Sequence, residues 1–424
     1  MLLEFTCKNF RSFRGEVTLS LLPVNAYKEH PENVAETNVP GASSDGVLKA
    51  AAVYGPNASG KTNLLRAMGY AQGVVAGRRP PISNETFLGN DDDESEFAFD
   101  LLIGGVRYRY GFSLSAKGVV DEYLKCRPKQ ERMVFERKLL PDGGYEVRQG
   151  SKYRGIASKL KGFSDNGLVL GLLSKFGIHD CSVVYGWITG SLVIHDNSQS
   201  GLDYGMLLKK LKDLGEANFS NAIKAVKSAD LGITGAQLIV GDLTDEERET
   251  QRVATDKLKA IFEALTGESV ETPEYPGEKI TFQFQHLIGG RSVGLGFENE
   301  SLGTVAMLRL AADFLDAITN GKTLVVDEIE RSLHPMLLKN LVALFFDRKL
   351  NATNAQLVFT THELSIMSED ILRRDQFWFV QKDSVEGSSE LYPLSDYSPR
   401  KDDNVLNRYL YGAYGAVPFI EGVL

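Results

Sequence analysis

The stretch GPNASGKTNLL, residues 55–65, constrains the fold of this chain more than any other feature. It follows the apolar run LKAAAVYG, which is typical of a buried strand, and it leads into KTNLLRAMGYAQGVV, whose apolar residues recur at helical spacing. A strand, a glycine-rich loop and a helix in this order match the G-x-x-x-x-G-K-[ST] phosphate loop. In that motif, backbone N–H groups and the helix N-terminus bind phosphate, the lysine reaches the outer phosphates and the hydroxyl binds Mg²⁺.

The residues of this motif are the first candidates for an ATP site. Gly55 and Gly60 are the two glycines, Lys61 is the lysine, and Thr62 is the hydroxyl residue expected to hold Mg²⁺. An ordinary glycine turn before a helix is the alternative, and the preceding strand favours the phosphate loop. Three further polar residues of the stretch are expected to contact ATP: Asn57, Ser59 and Asn63.

A second apolar run, TLVVDE at residues 323–328, ends in two acids. Asp327 is expected to hold Mg²⁺ through water, and Glu328 to polarise the attacking water as the general base. His362 ends the next apolar run, QLVFTTH, where we expect it to sense the γ-phosphate and hold the attacking water. In isolation, a capping acid and a structural histidine are the commoner interpretations of these residues, and their position after the phosphate loop favours the catalytic roles.

The segment ENESLGTVAMLRLAADFLDAI begins an amphipathic helix at Ser301, and Gly303 leaves the backbone accessible in its first turn. Most serines at such a position are simple N-caps. The helix leads into the strand that carries Asp327, which favours a role in binding phosphate. This arrangement resembles the signature helix of ATP-binding-cassette (ABC) ATPases.

Strand and helix patterns alternate from about residue 280, through KITFQFQHLI, TVAMLRLAADFLDAI, TLVVDE, HPMLLKNLVALFF and QLVFTTH. Such alternation predicts an α/β fold in which helices cover a mostly parallel sheet. We therefore expect a P-loop NTPase head in two parts, interrupted by a lobe and an insertion. The predicted segments are residues 1–85 with the phosphate loop, 86–150 as a β-rich lobe, 151–280 as a mainly helical insertion, and 281–424 as the remainder of the head.

Taken together, FTCKNFRSF, GPNASGKT, ESLGT, TLVVDEIERSLHP and FTTHE resemble the motifs of cytosolic ABC-type ATPases related to RecF, SMC and the OLD proteins. The runs ADLGI, YRYGFSL and YLYGAYGAVPFI are similar to those of AAA-type ATP-binding proteins in bacterial abortive-infection and phage-defence systems. The resemblance covers both ends of the chain. It implies an ATP hydrolase that uses ATP and Mg²⁺.

This resemblance also implies a site shared between two copies of the chain. Ser301 and Gly303 of one subunit would complete the ATP site of the other subunit. That site consists of Lys61, Asp327, Glu328 and His362. SLHP, residues 332–335, occupies the D-loop position that would cross this interface. Arg11, in NFRSF, would approach the nucleotide, with a solvent-facing strand arginine as the alternative. The glutamine of the Q-loop has no clear counterpart in the sequence.

Composition excludes several classes of protein. Lys and Arg number 47 against 56 Asp and Glu, a net charge of -9 that argues against a broadly cationic surface for nucleic acid. The three widely spaced cysteines form neither a disulfide framework nor a metal knuckle, which fits a reducing cytoplasm. No stretch approaches the ~18 apolar residues of a membrane span, so we expect no association with a membrane.

Two functions remain open at this stage. The first is an ATPase that senses infection and holds or releases a separate effector protein, such as a nuclease. The alternative is a RecF/SMC-like DNA-binding ATPase in DNA repair, for which residues 120–162 supply eleven Lys or Arg against six Asp or Glu. That span also fits an ordinary solvated lobe. A transporter subunit is disfavoured by the long insertions, and the chain beyond His362 is too short for the TOPRIM nuclease domain of OLD-type proteins.

Overall fold

The computed structural model describes residues 1–83, 85–90, 93–160, 167–195, 204–228, 232–266, 278–331, 333–368, 371–400 and 403–417. The chain forms two compact units. The head unit comprises Met1–Ser198 and Asp313–Leu424, and the insertion unit comprises Gln199–Ala312. Ser332 of the expected D-loop lies outside the described residues, as do parts of ADLGI (229–231) and of the C-terminal run (418–420).

The strands are, in chain order, β1 (Leu2–Lys8), β2 (Val17–Ser20), β3 (Val34–Ala35), β4 (Val47–Leu48), β5 (Ala50–Tyr54), β6 (Ser95–Ile103), β7 (Val106–Ser115), β8 (Gly118–Arg127), β9 (Arg132–Leu139), β10 (Tyr145–Gln149), β11 (Leu192–His195), β12 (Ile233–Asp242), β13 (Glu278–Ile288), β14 (Arg291–Leu295), β15 (Thr323–Val326), β16 (Gln356–Thr360), β17 (Phe377–Lys382) and β18 (Ser389–Pro393). The helices are α1 (Lys61–Val75), α2 (Ile156–Lys159), α3 (Leu170–Lys175), α4 (His179–Gly186), α5 (Tyr204–Asp213), α6 (Gly215–Ser228), α7 (Asp245–Thr266), α8 (Leu302–Asn320), α9 (Pro335–Leu344), α10 (Ser365–Ser368) and α11 (Val405–Leu410). None of these described helices is both long enough and apolar enough to cross a membrane.

The head unit contains a six-stranded sheet in the order β11-β15-β16-β5-β17-β18. All neighbours in it run parallel except β17 and β18. Every residue of β5, β15 and β16 is buried, because these central strands are covered on both faces, as parallel sheets require. The predicted α/β fold with a mostly parallel sheet is therefore confirmed.

A second sheet of the head unit is antiparallel, in the order β10-β9-β8-β7-β6-β1-β2. The first two strands, β1 and β2, pair with each other, and β1 also pairs with β6 of the β-rich segment. This segment therefore shares one sheet and one compact unit with the N-terminus. A buried apolar cluster, which includes Phe5, Phe97 and Phe99, extends from this sheet to α1 and the parallel sheet.

The insertion unit combines α5, α6, α7 and the first part of α8 with the antiparallel sheet β12-β13-β14. Its core includes Phe282, which stacks on Phe297 with the ring centroids 4.7 Å apart. The sequence placed KITFQFQHLI in the parallel sheet, and this prediction was wrong. That segment is β13, which pairs antiparallel on both sides because Gly289 and Gly290, at φ 57° and 76°, return the chain in a hairpin turn.

Candidate functional site

The phosphate loop lies where β5 leaves the centre of the parallel sheet. Gly55 and Gly60 have φ angles of 155° and 116°, which L-residues rarely adopt. A Cβ atom on Gly55 would lie 2.3 Å from the carbonyl oxygen of Val380, and one on Gly60 would lie 2.5 Å from Ser389 Oγ. Both glycines are thus required by the backbone, and α1 begins directly after the loop, at Lys61.

The ammonium group of Lys61 is held against this loop. The residue is 6% exposed, and its Nζ donates to the carbonyl oxygens of Gly55 at 2.8 Å and of Pro56 at 3.1 Å. Burial lowers the pKa of Lys61, while the negative charges of Asp327 and Glu328 act in the opposite direction. The lysine therefore lies close to both carboxylates and can exchange its carbonyl partners for a phosphate oxygen.

Two serines from outside the motif support the loop, and the sequence analysis missed both. Ser12 Oγ accepts from Asn63 Nδ2 at 2.8 Å, and the carbonyl oxygen of Ser12 accepts from the backbone N–H of Ser389 at 2.7 Å. Ser389 Oγ in turn donates to the carbonyl oxygen of Ser59 at 2.5 Å. Ser12 follows Arg11 in NFRSF, but nothing in the sequence near Ser389 indicates this contact.

Ser59 and Asn57 contribute differently to the loop. Ser59 is 2% exposed, and its buried Oγ has no hydrogen-bond partner among the described residues. Asn57 is exposed at the outer side of the loop. A buried hydroxyl without a partner, next to a glycine backbone that leaves no room for a side chain, fits a site that binds an anion of phosphate type.

Asp327 and Glu328 follow β15, and the adjacent strand β16 fixes them. Thr360 Oγ1 donates to Asp327 Oδ1 at 2.6 Å and accepts from the backbone N–H of Glu328 at 2.7 Å. Glu328 has a φ of 47°, which is uncommon for a residue other than glycine. Thr360 is a further functional residue that the sequence analysis missed, although it lies two residues before His362.

His362 lies next to a third carboxylate that was not predicted. Glu330 accepts from the backbone N–H of His362 at 2.8 Å and from Thr361 Oγ1 at 2.8 Å. Burial, followed by the positive charge of Lys61, lowers the pKa of His362, whereas the charge of Glu330 opposes this shift. The exposed imidazole therefore shares the electrostatic environment of the phosphate loop and the carboxylates.

A cavity of about 660 Å³ adjoins these residues, and its lining includes Thr62, Asp327, Glu328 and Arg11. Arg11 Nε forms an ion pair with Glu85, and its backbone N–H donates to the carbonyl oxygen of Glu85 at 2.7 Å. The structure thus brings four predicted residues to one cavity. It also ties the arginine to a carboxylate that the sequence did not indicate.

The oxygen atoms at one end of the cavity suit Mg²⁺. The hydroxyl of Thr62 and the carboxylate of Asp327 are hard oxygen ligands. Among the described residues, no group of three or more His, Cys, Asp or Glu could hold a metal ion by itself. This donor set fits a cation that takes one or two protein ligands and completes its coordination with phosphate oxygens and water.

Ser301 and Gly303 lie at the start of α8, in the insertion unit. Ser301 Oγ accepts from the backbone N–H of Thr304 at 3.1 Å, which is the N-cap contact that the sequence offered as the plain alternative. Ser301 itself is exposed, and Gly303 is half-buried.

Gln72 of α1 is a glutamine near the phosphate loop, and its contacts show whether it could serve as the Q-loop glutamine. Its Nε2 donates to the carbonyl oxygens of Ile188 at 2.9 Å and Leu192 at 2.5 Å, and its Oε1 accepts from Arg78 Nη2 at 3.2 Å. These contacts join α1 to the segment that leads into β11. The side-chain amide of Gln72 is therefore occupied by structural hydrogen bonds, and the structure offers no reason to assign it to the Q-loop.

The comparisons with known proteins complement this geometry. A family model described as "AAA domain, putative AbiEii toxin, Type IV TA system" matches residues 50–149 and 183–368, which together make up well over half of the chain. The matched residues include the phosphate loop, the signature-like helix, Asp327 and His362. No curated protein matches the chain.

Among solved structures, the chain is similar to SMC head domains. An SmcHead bound to the C-winged helix domain of ScpA is 15% identical with a TM-score of 0.40, and the match covers 94% of this chain and 99% of that one. The SMC head domain from Thermotoga maritima is 14% identical with a TM-score of 0.38, at coverages of 92% and 98%. An Smc head domain with an extended coiled coil, bound to a ScpA domain derived from Pyrococcus furiosus, is 15% identical with a TM-score of 0.37, at coverages of 94% and 97%.

The extent of the family match decides the assignment. The match includes the phosphate loop, the β-rich segment and the strands β15 and β16. It therefore covers the residues that lie at the carboxyl edge of the parallel sheet. The chain therefore belongs to the family of AAA ATPase domains described as "AAA domain, putative AbiEii toxin, Type IV TA system".

Proposed function

We propose that this chain is an ABC-type ATPase that binds and hydrolyses Mg²⁺-ATP, and that its nucleotide state controls a separate effector in anti-phage defence. The observation that carries the ATPase assignment is the convergence of Lys61, Asp327, Glu328 and His362 at one edge of the parallel sheet. Phosphoryl transfer depends mainly on positioning and charge stabilisation, which such a rigid edge supplies.

Each residue has a distinct role in the proposed reaction. The phosphate loop and Lys61 would bind the β- and γ-phosphates. Thr62, and Asp327 through water, would hold Mg²⁺, which would supply positive charge next to the transferred group. Glu328 accepts the proton of the attacking water, and the neutral imidazole of His362 holds that water in line. Thr360 positions both carboxylate residues, because its hydroxyl contacts Asp327 and the backbone of Glu328.

We infer that a second copy of the chain completes the site. Ser301 is exposed at the start of α8, where the helix N-terminus favours an anion. In the ABC arrangement that the motifs resemble, this serine and Gly303 bind the γ-phosphate of the partner subunit. Hydrolysis would then require association, and specific activity should rise with protein concentration until dimers saturate.

The proposed setting in phage defence is supported by the description of the family, which links it to a toxin and a toxin–antitoxin system. In our proposal the toxic step belongs to a separate protein, which the ATPase holds or releases. ATP can favour one state of the assembly only to the extent that it binds that state more tightly.

The basic span, residues 120–162, gives little support to the alternative role in DNA repair. Several of its cations are paired with acids: Arg127 with Glu131 at 3.1 Å, and Lys138 with Glu136 at 3.3 Å. Arg137 is 1% exposed and cannot contact a ligand at the surface. These pairs reduce the positive potential that a phosphate backbone would need.

Phosphate release by the purified chain tests the ATPase assignment, with and without EDTA. Lys61→Ala should lose nucleotide binding, whereas Glu328→Gln should bind ATP and stall before hydrolysis. Glu146→Gln, a change at an exposed glutamate of β10, is the matched control and should retain full activity. Hydrolysis by Glu328→Gln at the wild-type rate would show that the assigned base is wrong.

Co-expression with the product of the neighbouring gene tests the role as an effector holder. The chain alone should be harmless and should cut neither DNA nor RNA in the presence of Mg²⁺. The neighbouring product should co-purify with it, and Glu328→Gln should change whether that product is retained. Toxicity or nuclease activity of the rigorously purified single chain would contradict this part of the proposal.

A further inference from the structure

The cavity beside the phosphate loop extends well beyond the residues that ATP hydrolysis requires. One face of α1 lines it, on which Thr62, Arg66, Gly69 and Gly73 recur at intervals of three or four residues, with Tyr70 next to Gly69. Thr62 and Gly73 are eleven positions apart, which corresponds to about 16 Å along a helix. The far end of the cavity is therefore a distinct place from the metal-binding end.

Three exposed arginines line the cavity beyond Thr62, and we call Arg66, Arg78 and Arg79 the arginine pocket. Arg66 lies one helical turn after Thr62, and Arg78 and Arg79 follow the end of α1. Gly73 makes room for Arg79, since a Cβ atom at position 73 would lie 3.0 Å from Arg79 Cδ. The guanidinium of Arg79 then lies over the ring of Tyr70, 5.4 Å from its centroid. Because Tyr70 is one helical turn from Arg66, this contact brings two guanidinium groups to the same stretch of α1.

The contacts that hold these side chains leave most of their charge uncompensated. Arg78 is fixed by the neutral amide of Gln72, at 3.2 Å. Arg79 lies 3.7 Å from Glu85, but that carboxylate is already bound by Arg11. Arg66 has no carboxylate within 4 Å among the described residues.

This concentration of positive charge contrasts with the rest of the molecule. The chain carries a net charge of -9, yet the cavity lining presents the arginine pocket, Arg11 and Arg331 against three carboxylates. Two of these carboxylates, Asp327 and Glu328, belong to the metal-binding end, and the third is Glu85. A cleft lined mainly by one sign of charge raises the local concentration of ions of the opposite sign. The proposed mechanism of ATP hydrolysis assigns no role to Arg66, Arg78 or Arg79.

We propose that the arginine pocket binds a small anion that carries two or more phosphates, in addition to the ATP at the phosphate loop. Guanidinium groups match phosphate oxygens in a bidentate geometry, and several of them suit a diphosphate better than a single charge. The volume of the cavity, about 660 Å³, lies within the range of small-molecule sites.

Equilibrium dialysis of labelled pyrophosphate tests this site on the full chain, saturated with Mg²⁺ and a non-hydrolysable ATP analogue. Binding of the analogue is measured first, so that failure of the proposed ATP site is distinguished from failure of the second site. We expect one further pyrophosphate per chain. Arg66→Gln and Arg78→Gln should each weaken its binding roughly tenfold or more, as expected for loss of a charge-assisted contact.

Arg148→Gln is the matched control, because Arg148 is an exposed arginine of β10 that pairs with Glu146 at 3.1 Å. It should leave pyrophosphate binding unchanged, and thermal unfolding checks that every variant folds. The proposal is overturned if the analogue-loaded chain binds no pyrophosphate, or if both pocket variants bind it like the wild type. Binding of a single-stranded oligonucleotide through the same arginines, without binding of pyrophosphate, would also overturn it by assigning the pocket to nucleic acid.

Discussion

Thr360 offers a test of how the parallel sheet positions the proposed catalytic residues. Its side chain is completely buried at the end of β16, between the strands that carry the phosphate loop and Asp327. Thr360→Val keeps the shape of the side chain but removes the hydroxyl. The variant therefore loses the 2.6 Å contact to Asp327 and the 2.7 Å contact from the N–H of Glu328.

The expected magnitude follows from the two lost contacts. A hydrogen bond to a carboxylate contributes about 1.5–3 kcal/mol, and an N–H group left without an acceptor costs about 1–3 kcal/mol when buried. Because both contacts are only partly buried, we expect the free energy of unfolding to fall by roughly 2–4 kcal/mol. A shift of Asp327 by a fraction of an ångström should slow hydrolysis by up to about a hundredfold.

Denaturant unfolding measures the loss of stability, and phosphate release at saturating ATP measures the rate. Thr360→Ser restores the hydroxyl and should recover most of the rate. Thr323→Val is the matched control on the neighbouring strand, because its buried hydroxyl donates to the neutral Gln356 side chain at 3.0 Å. It should cost about 1 kcal/mol of stability and leave the rate unchanged. Wild-type hydrolysis by folded Thr360→Val would refute the reasoning.

Three further predictions concern the subunit interface, the histidine and the buried charges. Mixing inactive Lys61→Ala with inactive Ser301→Arg should restore some phosphate release, since one mixed interface keeps an intact site; a fully active monomer in sedimentation would exclude this model. Because the pKa of His362 is lowered, its neutral form persists to lower pH. We therefore expect kcat/KM to fall only below about pH 6.5, and this fall should be absent in His362→Gln. Arg137→Ala should lower the free energy of unfolding by roughly 3–5 kcal/mol, because it leaves the fully buried Glu122 without its cation; an unchanged denaturation midpoint would contradict this.

The sequence predicted the elements whose residues are adjacent in the chain. β5, the phosphate loop and α1 form one continuous stretch, and its glycines, lysine and apolar spacing are local signals. The strand before Asp327 was predicted for the same reason, since its apolar run is continuous in the chain. The prediction failed for β13, where a short apolar run at alternating spacing is compatible with either kind of sheet until its partners are known.

The contacts that position the site join residues far apart in the chain, and local patterns do not encode them. Ser389 reaches the phosphate loop across 330 positions, and Thr360 reaches Asp327 across 33. Arg79 takes its place because Gly73 lacks a side chain, a relation that helical spacing alone does not reveal. Such contacts depend on strand order, which the sequence left open.

The order of strands explains why β16 has a central position in the proposed mechanism. In the sheet, β16 lies between β15 and β5, although in the chain it follows both. The ends of these three parallel strands deliver Asp327, Thr360 and the phosphate loop side by side. A hydroxyl on the middle strand can therefore fix Asp327, the proposed metal-binding carboxylate, while the next residues, Thr361 and His362, donate to Glu330. The proposed base and the water-holding histidine are thus positioned by one short segment, so that a displacement of β16 would disturb both together.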